Sequence, residues 1–534
     1  MEDAIEEAVP PPSTESDDML DEQTSVPCGE STGHVLRIRR LGIDTYQEPV
    51  VFLREDSHVC RSEGFESQAR VELRRGDRHI IATLNVVRGT GLAALAQDEA
   101  GLSEAAWRAL GGEEHERIYV EHPLPVESFS QVRAKVYGHE FAPGALLEII
   151  QDVSNGRYSN IEMAAFITAC AGDRMSSQET IELTRAMVSV GSRMSWAQYP
   201  IMDKHCVGGL PGNRTTLIVV PIVAALGLVI PKTSSRAITS PAGTADTMET
   251  LAPVVLDEAV LKRVVEKEGG CIAWGGAVGL SPADDILIRV ERPLDMDGEA
   301  QLVASVISKK LAAGSSHVLI DVPVGPTAKL RSDAAARSLA SRLVETGRAL
   351  GLQVDVVLTD GRQPVGRGIG PALEARDVLA VLQNEASAPA DLRERSIMLA
   401  GRILEMAQRA PVNTGAALAQ AALADGRAWR KFQAIAEAQG GLRVPPVAPA
   451  HHVMMSMKSG LVVSIDNRRL SRVAKLAGAP QSAAAGVDLH TRLGMRVERG
   501  EPLYTIHAQS RGELQYALEY AQAQRDVILV EAAS

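Results

Sequence analysis

The sequence has no long hydrophobic run and no excess of positive charge, and each absence excludes a class of protein. The longest apolar stretch, Leu217 to Ile230, is interrupted by Pro221 and Gly227 and is too short to span a bilayer. The N-terminus is acidic, whereas a signal peptide would be basic and then apolar. The 534 residues carry a formal net charge of -12, which argues against a broad nucleic-acid surface. We therefore expect a cytoplasmic protein that binds neither membrane nor nucleic acid.

Cysteine is also scarce. The five cysteines are odd in number and are not spaced as metal-binding pairs: Cys28, Cys60, Cys170, Cys206 and Cys271. This usage is typical of reduced thiols in a cytoplasm. We expect no metal site.

The length and composition predict three or four domains, each able to bury its own core. Residues 1–33 are acidic, rich in Pro and Ser and free of Lys and Arg, so we expect a disordered acidic tail. Short β-branched runs then predict an N-terminal β-rich domain over residues 34–125. Its expected strands are Val35–Ile38, Val50–Leu53, Val71–Leu73 and His79–Val87.

Helical patterns follow, from residue 126 to about 200. Ser159 with Glu162, and Ser176 with Glu179, have the spacing of capping boxes, and Ala145 to Val153 is amphipathic. These features predict a compact all-α unit.

From Leu217 onward, buried apolar runs alternate with helical stretches, which indicates a mostly parallel α/β sheet. The expected strands are Leu217–Val220, His317–Val322 and Gln353–Leu358. A proline-rich linker, Val444 to Pro449, precedes a C-terminal α+β domain over residues 441–534. There we expect strands around one helix: Gly460–Ile465, Val487–His490 and Pro502–His507.

The segment whose residues are best suited to binding a ligand is Asp203-Lys-His-Cys-Val-Gly-Gly-Leu-Pro-Gly-Asn-Arg-Thr-Thr216. Its glycines let backbone N–H groups approach a ligand, Lys204 supplies charge, and a following helix would add its dipole. This combination suits phosphate, although a turn that merely connects two elements fits the glycine content equally well. His205 is either a ligand-binding residue or a structural hydrogen-bonding residue. No Gly-Lys-[Ser/Thr] closes the turn and GxGxxG is absent, so neither ATP nor NAD is indicated.

A second polar segment, Lys232 to Glu249, carries many hydroxyls before a helix expected near Ala245. We predict that it forms the other wall of an anion pocket. A capped helix N-terminus, with Thr244 as the cap and Asp246 favouring the helix dipole, explains the same residues. The two interpretations are compatible, because an anion often occupies the end of a capped helix.

These segments resemble motifs of the thymidine phosphorylase family. Residues 203–209 are similar to its Lys-His-Ser-x-Gly-Gly loop, residues 234–249 look like its signature, and Ser305-Val-Ile-Ser-Lys-Lys310 resembles its base-contacting element. Stretches at Ile465, Ala474 and Gly486 resemble its terminal α+β domain. The similarity runs from about residue 142 to the C-terminus. Residues 209–216 and 282–285 are similar both to archaeal AMP phosphorylases and to the long bacterial type 2 thymidine phosphorylases.

The resemblance implies a multidomain α/β fold in which residues 282–310 return to the all-α domain of residues 126–200. Residues 201–281 plus 311–440 would form the phosphate-binding α/β domain. The implied reaction converts thymidine and phosphate to thymine and 2-deoxy-D-ribose 1-phosphate, with phosphate as co-substrate, no cofactor, and a homodimer or higher homo-oligomer.

The resemblance also implies roles for individual residues. Asp297 would be the proton donor, although its surroundings are typical of an exposed turn, and Lys204 and His205 are the other candidate catalytic residues. Lys309 would contact the base, although by pattern alone it is a solvated surface charge. The implied phosphate and nucleotide contacts are Lys204, Gly208, Gly209, Thr216, Ser234, Ser235, Arg236, Ala237, Ile238, Thr239, Ser240, Thr244, Ser305, Lys309 and Lys329.

Two departures from the family keep alternatives open. Cys206 replaces the usual phosphate-binding serine, and the base-contacting arginine falls on Val290 or Glu291 according to how the spacing is counted. Arg289 and Arg292 are neighbours of that position. The alternatives are an AMP phosphorylase, which releases adenine and ribose 1,5-bisphosphate, and a non-catalytic nucleotide-binding regulator. The first needs a 5′-phosphate site, for which the hydroxyls of residues 235–240 with Arg236 are candidates.

Overall fold

The computed structural model describes residues 34–89, 95–237, 240–294, 296, 298–524 and 526–531. The chain divides into two compact units, residues 1–124 and residues 125–534. The predicted acidic tail, residues 1–33, lies outside the described residues.

The described part of the first unit is a β-barrel with short helices. Its elements are β1 (His34–Arg40), β2 (Val50–Arg54), α1 (His58–Glu63), β3 (Arg70–Arg75), β4 (Arg78–Val87), β5 (Glu99–Leu102), α2 (Glu104–Leu110) and β6 (Arg117–Glu121). The strands close in the order β1-β5-β2-β4-β3-β6. Alternate residues such as Leu36 and Ile38 of β1 are buried, as the two-residue period of a strand requires.

The second unit begins with a helical bundle. Its helices are α3 (Phe129–Val136), α4 (Ala145–Ser154), α5 (Asn160–Cys170) and α6 (Ser177–Ser189), joined later in the chain by α10 (Pro282–Leu294) and α11 (Glu299–Ala312). Ile149, Phe166, Leu287 and Ala304 share one hydrophobic core, so the later helices pack on the earlier ones. Both predicted capping boxes are confirmed, at the starts of α5 and α6, and each stabilises its helix by about 1 kcal/mol.

A parallel sheet follows the bundle. Its strands are β7 (Met202–Cys206), β8 (Ile230–Ser234), β9 (Gly270–Trp274), β10 (His317–Val324) and β11 (Gln353–Asp360). β11, β10 and β7 are neighbours, β8 pairs with β9, and a parallel bridge between Ile201 and Val229 joins the two groups. The carboxyl ends of β7, β8 and β10 therefore lie along one edge, where ligands bind in open α/β sheets.

Helices cover this sheet: α7 (Thr216–Ala225), α8 (Thr244–Glu249), α9 (Glu258–Glu268), α12 (Asp333–Ala349), α13 (Pro371–Leu382), α14 (Ala390–Met406), α15 (Gly415–Ala424) and α16 (Arg427–Gln439). The expected strand over Leu217–Val220 is wrong, because these residues lie in α7. Nearly all of α7 is buried, including Pro221 in its interior. A helix buried on all sides is apolar all round, so it has no periodicity to distinguish it from a buried strand.

The C-terminal part is an α+β arrangement, as predicted. Its elements are β12 (Gly368–Ile369), β13 (Ala450–Met455), β14 (Gly460–Ile465), α17 (Asn467–Leu476), β15 (Gly486–Leu489), β16 (Arg496–Val497), β17 (Pro502–Ala508), α18 (Arg511–Ala523) and β18 (Ile528–Glu531). Both α17 and α18 pack on these strands, whereas the sequence predicted one helix. The predicted multidomain α/β fold class is confirmed. Within the described residues, every helix is too short or too polar to cross a membrane.

Candidate active site

The glycine-rich turn follows β7 directly. Gly208 and Gly209 have positive φ values of 87° and 78°, which side chains with a Cβ rarely adopt. A Cβ on Gly209 would lie 2.5 Å from the backbone nitrogen of Lys329. Glycine is therefore required here both for the turn and for its close approach to the segment that follows β10. The turn then leads into the N-terminus of α7, whose first residue is Thr216.

Arg214 joins the glycine-rich turn to the hydroxyl-rich segment. Its guanidinium donates to the carboxylate of Glu374 through Nε, to Thr244 Oγ1 at 3.1 Å and to the carbonyl oxygen of Ala242 at 3.1 Å. Glu374 is almost fully buried and also accepts a hydrogen bond from Thr247. The two segments that the sequence predicted as pocket walls are thus joined by the hydrogen bonds of Arg214 to Thr244 and Ala242, and the buried Glu374 holds the guanidinium in place.

The hydroxyl-rich segment ends in α8, which begins one residue earlier than expected. Gly243, not Thr244, is the N-cap residue, and Thr244 is the first residue of the helix. The carboxylate of Asp246 accepts from the backbone N–H groups of Gly243 at 2.9 Å and Ala237 at 2.6 Å. Thr244 therefore does not cap the helix, and its hydroxyl accepts from Arg214 instead.

Arg236 is engaged by acidic neighbours. It pairs with Glu249 through both terminal nitrogens and with Asp246 at 3.3 Å, and it stacks over the ring of Trp274 at 5.0 Å. Glu249 raises the pKa of the guanidinium through their hydrogen bonds. Arg236 lines the cavity, but its charge is largely matched within the protein. It is therefore a weaker candidate for a second phosphate site than its sequence position indicated.

Lys204 and His205 form the floor between the two walls. Lys204 is fully buried, and its ammonium donates to Thr215 Oγ1 at 2.7 Å and lies 3.8 Å from Asp321 Oδ2. The pKa of His205 is held well below its usual range, because burial disfavours the imidazolium and nearby lysines repel it. These lysines are Lys310, Lys232, Lys309 and Lys204. His205 is therefore a neutral imidazole at physiological pH.

A buried charge network lies beside the floor. Asp203 is fully buried and pairs with Lys310 at 2.8 Å and with Lys232 at 3.2 Å. Burial lowers the pKa of Lys310 to about 7, although Asp203 opposes this shift. Asp203 thus compensates for part of the positive charge that the lysines concentrate around His205.

Helices α10 and α11 bring the base-contacting element to the same cavity. Ser305 and Lys309 are one turn apart on α11 and both line it. The Lys309 ammonium lies 2.6 Å from Asp284 on α10, while the adjacent Asp285 carboxylate faces the cavity. Lys309 is therefore held in position by Asp284 rather than being a free surface charge.

These elements enclose a cavity of about 770 Å³. Most of the residues predicted from the sequence line it: Lys204, His205, Gly208, Gly209, Thr216, Ser234, Ser235, Arg236, Ser240, Thr244, Ser305, Lys309 and Lys329. Ala237 is described but does not line the cavity. Asp297, Ile238 and Thr239 lie outside the described residues. No group of His, Cys, Asp and Glu in the described part of the chain could hold a metal ion.

Family models match along the second unit. The helical bundle domain of a glycosyl transferase family matches residues 131–191, and the a/b domain of that family matches residues 198–429. The pyrimidine nucleoside phosphorylase C-terminal domain matches residues 461–527.

Relatives that match most of the chain share one name. A "Putative thymidine phosphorylase" from a Polaromonas species is 64% identical over 94% of this chain and 98% of its own length. The chain belongs to the thymidine phosphorylase family. A Legionella pneumophila relative with the same name is 55% identical over 94% of this chain and 96% of its own length. A solved anthranilate phosphoribosyltransferase from Thermus thermophilus is 21% identical, with a TM-score of 0.49 over 58% of this chain and 99% of its own. As a thymidine phosphorylase family member, the protein is an enzyme of the pentosyltransferase type.

The chain departs from the thymidine phosphorylase pattern at Cys206 and at Val290 or Glu291. Cys206 lines the cavity as a thiol, since burial and the nearby Asp321 raise its pKa to about 11, and its Sγ accepts from Asn213 at 3.3 Å. Val290 is buried in the helical core, whereas Glu291 lines the cavity. Arg289 does not line it. Glu291 thus occupies the cavity wall near the position at which the family pattern has a base-contacting arginine.

Sequence reasoning missed several residues of the site. Arg214 and Glu374 are 160 positions apart, and nothing in either local sequence indicates their pairing. Asp203 anchors two buried lysines, and its position at the start of the motif does not indicate this role. An additional set of cations on α17, in the C-terminal part, also lines the cavity. A periodic set of basic residues was the only signal for it, and such sets usually face solvent.

Proposed function

We propose that this enzyme transfers the pentosyl group of a nucleoside to inorganic phosphate, with thymidine as its substrate. The products are thymine and 2-deoxy-D-ribose 1-phosphate. The observation that carries the proposal is the link through Arg214, which joins the glycine-rich turn to the hydroxyl-rich segment beside Ser305 and Lys309 in one cation-rich cavity. The names of the relatives support thymidine.

Orthophosphate fits between the two walls. Backbone N–H groups of the glycine-rich turn and the N-terminus of α7 are suited to an oxyanion. Ser234 Oγ is buried and has no hydrogen-bond partner among the described residues, so it is free to donate to phosphate. Thr216, at the end of the glycine-rich turn, and Thr244, in the hydroxyl-rich segment, add one hydroxyl to each wall. Lys204 of the floor supplies positive charge for the phosphate dianion.

In the reaction, a phosphate oxygen forms a bond to C1′ of the sugar while the bond from C1′ to the base nitrogen breaks. The electron pair of that bond leaves with the base. Phosphate stabilises the positive charge that develops on the sugar, and the Lys309 ammonium stabilises the negative charge on the departing base. The departing nitrogen then takes a proton, for which the resemblance indicates Asp297.

The first test is whether thymine release depends on orthophosphate. We expect stoichiometric thymine and 2-deoxy-D-ribose 1-phosphate, separated by chromatography, only when orthophosphate is present. Ser234→Ala removes a hydroxyl without breaking an internal hydrogen bond, so we expect about a tenfold higher KM for phosphate. Ser341→Ala, at an exposed position of α12 outside the cavity, is the matched control. Release of free deoxyribose, or release independent of orthophosphate, would contradict the proposal.

The second candidate is an AMP phosphorylase, which gives adenine and ribose 1,5-bisphosphate. It is favoured by the base end of the cavity, where Asp285 and Glu291 line the wall and Val290 is buried. Carboxylates accept hydrogen bonds from an amino group such as that of adenine, whereas they repel carbonyl oxygens. Turnover of a panel of thymidine, uridine, AMP and CMP separates the two candidates, and turnover of AMP alone would reject thymidine.

The assembly and location of the enzyme stay expectations from the sequence and the family resemblance. We propose a cytoplasmic homodimer or higher homo-oligomer that needs no cofactor. Light scattering coupled to size-exclusion chromatography measures the assembly, and a monomeric mass at micromolar concentration would contradict it.

A further inference from the structure

One face of α17 supplies basic side chains to the active-site cavity. Arg468, Arg472 and Lys475 stand at positions i, i+4 and i+7 of the helix, which places them on the same side. They line the cavity together with Ser471. The opposite face of α17 is apolar and packs in the C-terminal core through Leu470, Val473 and Ala474. The orientation of the helix is therefore fixed, with its cationic face toward the cavity.

The start of α17 is bound to the loops that follow the sheet strands. Asn467 is almost fully buried, and its side-chain amide donates to Thr327 Oγ1 at 3.0 Å and to the carbonyl oxygen of Gly361 at 2.9 Å. Its backbone N–H also donates to Thr327 Oγ1, at 3.1 Å. The segment that contains Thr327 continues to Lys329, which packs against Gly209 of the glycine-rich turn. The cationic face is thus set beside the phosphate-binding turn by direct contacts.

The arginines that line this part of the cavity have no acidic partner among the described residues. Among the described residues, Arg468, Arg472 and the nearby cavity residue Arg331 form no ion pair, and their side chains are exposed to the cavity. The carboxylates on the described cavity wall are Asp285 and Glu291, both of α10. In contrast, Arg469 of the same helix lies near Asp466 and Asp526 and does not line the cavity. Unmatched charges of one sign in a concave site concentrate an oppositely charged ligand.

We propose that Arg468 and Arg472, with Arg331, bind a second phosphate group, one that is esterified to the sugar of the substrate. This inference rests on the proposed phosphorolysis and extends its substrate class from a nucleoside to a nucleoside monophosphate. Arginine binds phosphate through paired, charge-assisted hydrogen bonds. The cavity of about 770 Å³ is within the range of pockets that enclose a ligand of nucleotide size. The ester phosphate takes no part in bond breaking, so the cationic face acts on binding and position.

The test uses the full-length enzyme and matched pairs of substrates: thymidine with its 5′-monophosphate, and adenosine with AMP. We expect the wild type to prefer the monophosphate of at least one pair in kcat/KM. In the double variant Arg468→Ala/Arg472→Ala, we expect the KM for the monophosphate to rise by about 30- to 100-fold, while kcat/KM for the unphosphorylated nucleoside stays within about twofold. Arg469→Ala, on the same helix but outside the cavity, is the control and should change neither.

Three outcomes would overturn the subsite. The first is an equal kcat/KM of the wild type for each nucleoside and its monophosphate. The second is an equal loss of kcat/KM for both substrates in the double variant. The third is a rise in the KM for orthophosphate alone. The last outcome would assign the cationic face to the free phosphate. If no substrate is turned over, the proposed function fails, and calorimetric titration with the monophosphates still tests the subsite. In that case, equal affinity of wild type and double variant would reject it.

Discussion

Arg214→Lys tests whether the hydrogen bonds of Arg214 that join the two walls position the phosphate site. Lysine keeps the positive charge opposite Glu374, but it offers one nitrogen in place of the guanidinium fork. The contacts to Thr244 Oγ1 and to the carbonyl oxygen of Ala242, both 3.1 Å in the wild type, are then lost or weakened. The substitution thus removes the link between the walls and leaves the buried carboxylate with a partner.

The expected magnitude follows from these contacts. A hydrogen bond from a charged donor contributes about 1.5–3 kcal/mol, and the lysine or a water replaces part of it, so we expect the free energy of unfolding to fall by about 2–4 kcal/mol. If the Thr244 hydroxyl is no longer oriented, orthophosphate loses one charge-assisted hydrogen bond. That loss corresponds to an increase of about 10- to 150-fold in the KM for phosphate.

The assay is steady-state kinetics with varied orthophosphate, combined with denaturant unfolding of the same preparations. Arg409→Lys is a matched control, because Arg409 donates at 3.0 Å to the carbonyl oxygen of Leu226 and does not line the cavity. We expect the control to lower stability and leave the KM for phosphate unchanged. A KM within twofold of wild type for Arg214→Lys, with stability lowered as predicted, would refute the argument that Arg214 positions the phosphate site.

Three further substitutions test individual groups. Because the folded-state pKa of His205 is lowered by burial and by nearby lysines, the unfolded chain binds the extra proton first and stability is lost as pH falls below about 6.5. Between pH 7.5 and pH 5, the melting temperature of His205→Asn should therefore fall less than that of the wild type, and an equal fall would contradict this. Cys206→Ser should lower the KM for phosphate by about 2- to 10-fold, because a hydroxyl is a stronger donor than a thiol; an unchanged or higher KM would argue against a phosphate contact there. Asp285→Asn should change the kcat/KM ratio between amino-bearing and carbonyl-bearing bases by about tenfold, since the carboxylate only accepts hydrogen bonds; a constant ratio would exclude contact with the base edge.

Local sequence could predict the elements whose ends are marked by residues in or beside them. The capping boxes at Ser159 and Ser176 fix where α5 and α6 begin, and the β-branched runs of β10 and β11 have flanking turn residues. In α7 the signal is absent, because every face of the helix meets the core. β-branched residues such as Val219 and Val220 favour a strand, yet burial on all sides allows a helix just as well.

The same distinction applies to the site. The glycine-rich turn and the hydroxyl-rich segment were predictable, because close backbone approach and hydroxyl density are local properties. The contact between them was not, since it depends on Arg214 meeting a glutamate on α13, a helix that local sequence gives no reason to place beside α8. Long-range pairs of this kind follow from the fold, and the order of strands along the sheet decides which loops meet at its carboxyl edge.

The cationic face of α17 shows why a periodic charge pattern is ambiguous in sequence and informative in structure. Arg468, Arg472 and Lys475 would form an ordinary solvated face on a helix that covered the outside of the protein. The buried amide of Asn467 excludes that arrangement, because its hydrogen bonds to Thr327 and Gly361 hold the helix against the loops that border the cavity. Arg469 projects from the same turn but lies near Asp466 and Asp526, whereas Arg468 and Arg472 face the cavity and have no ion-pair partner among the described residues. Only the second set can contribute to the affinity for an anionic substrate.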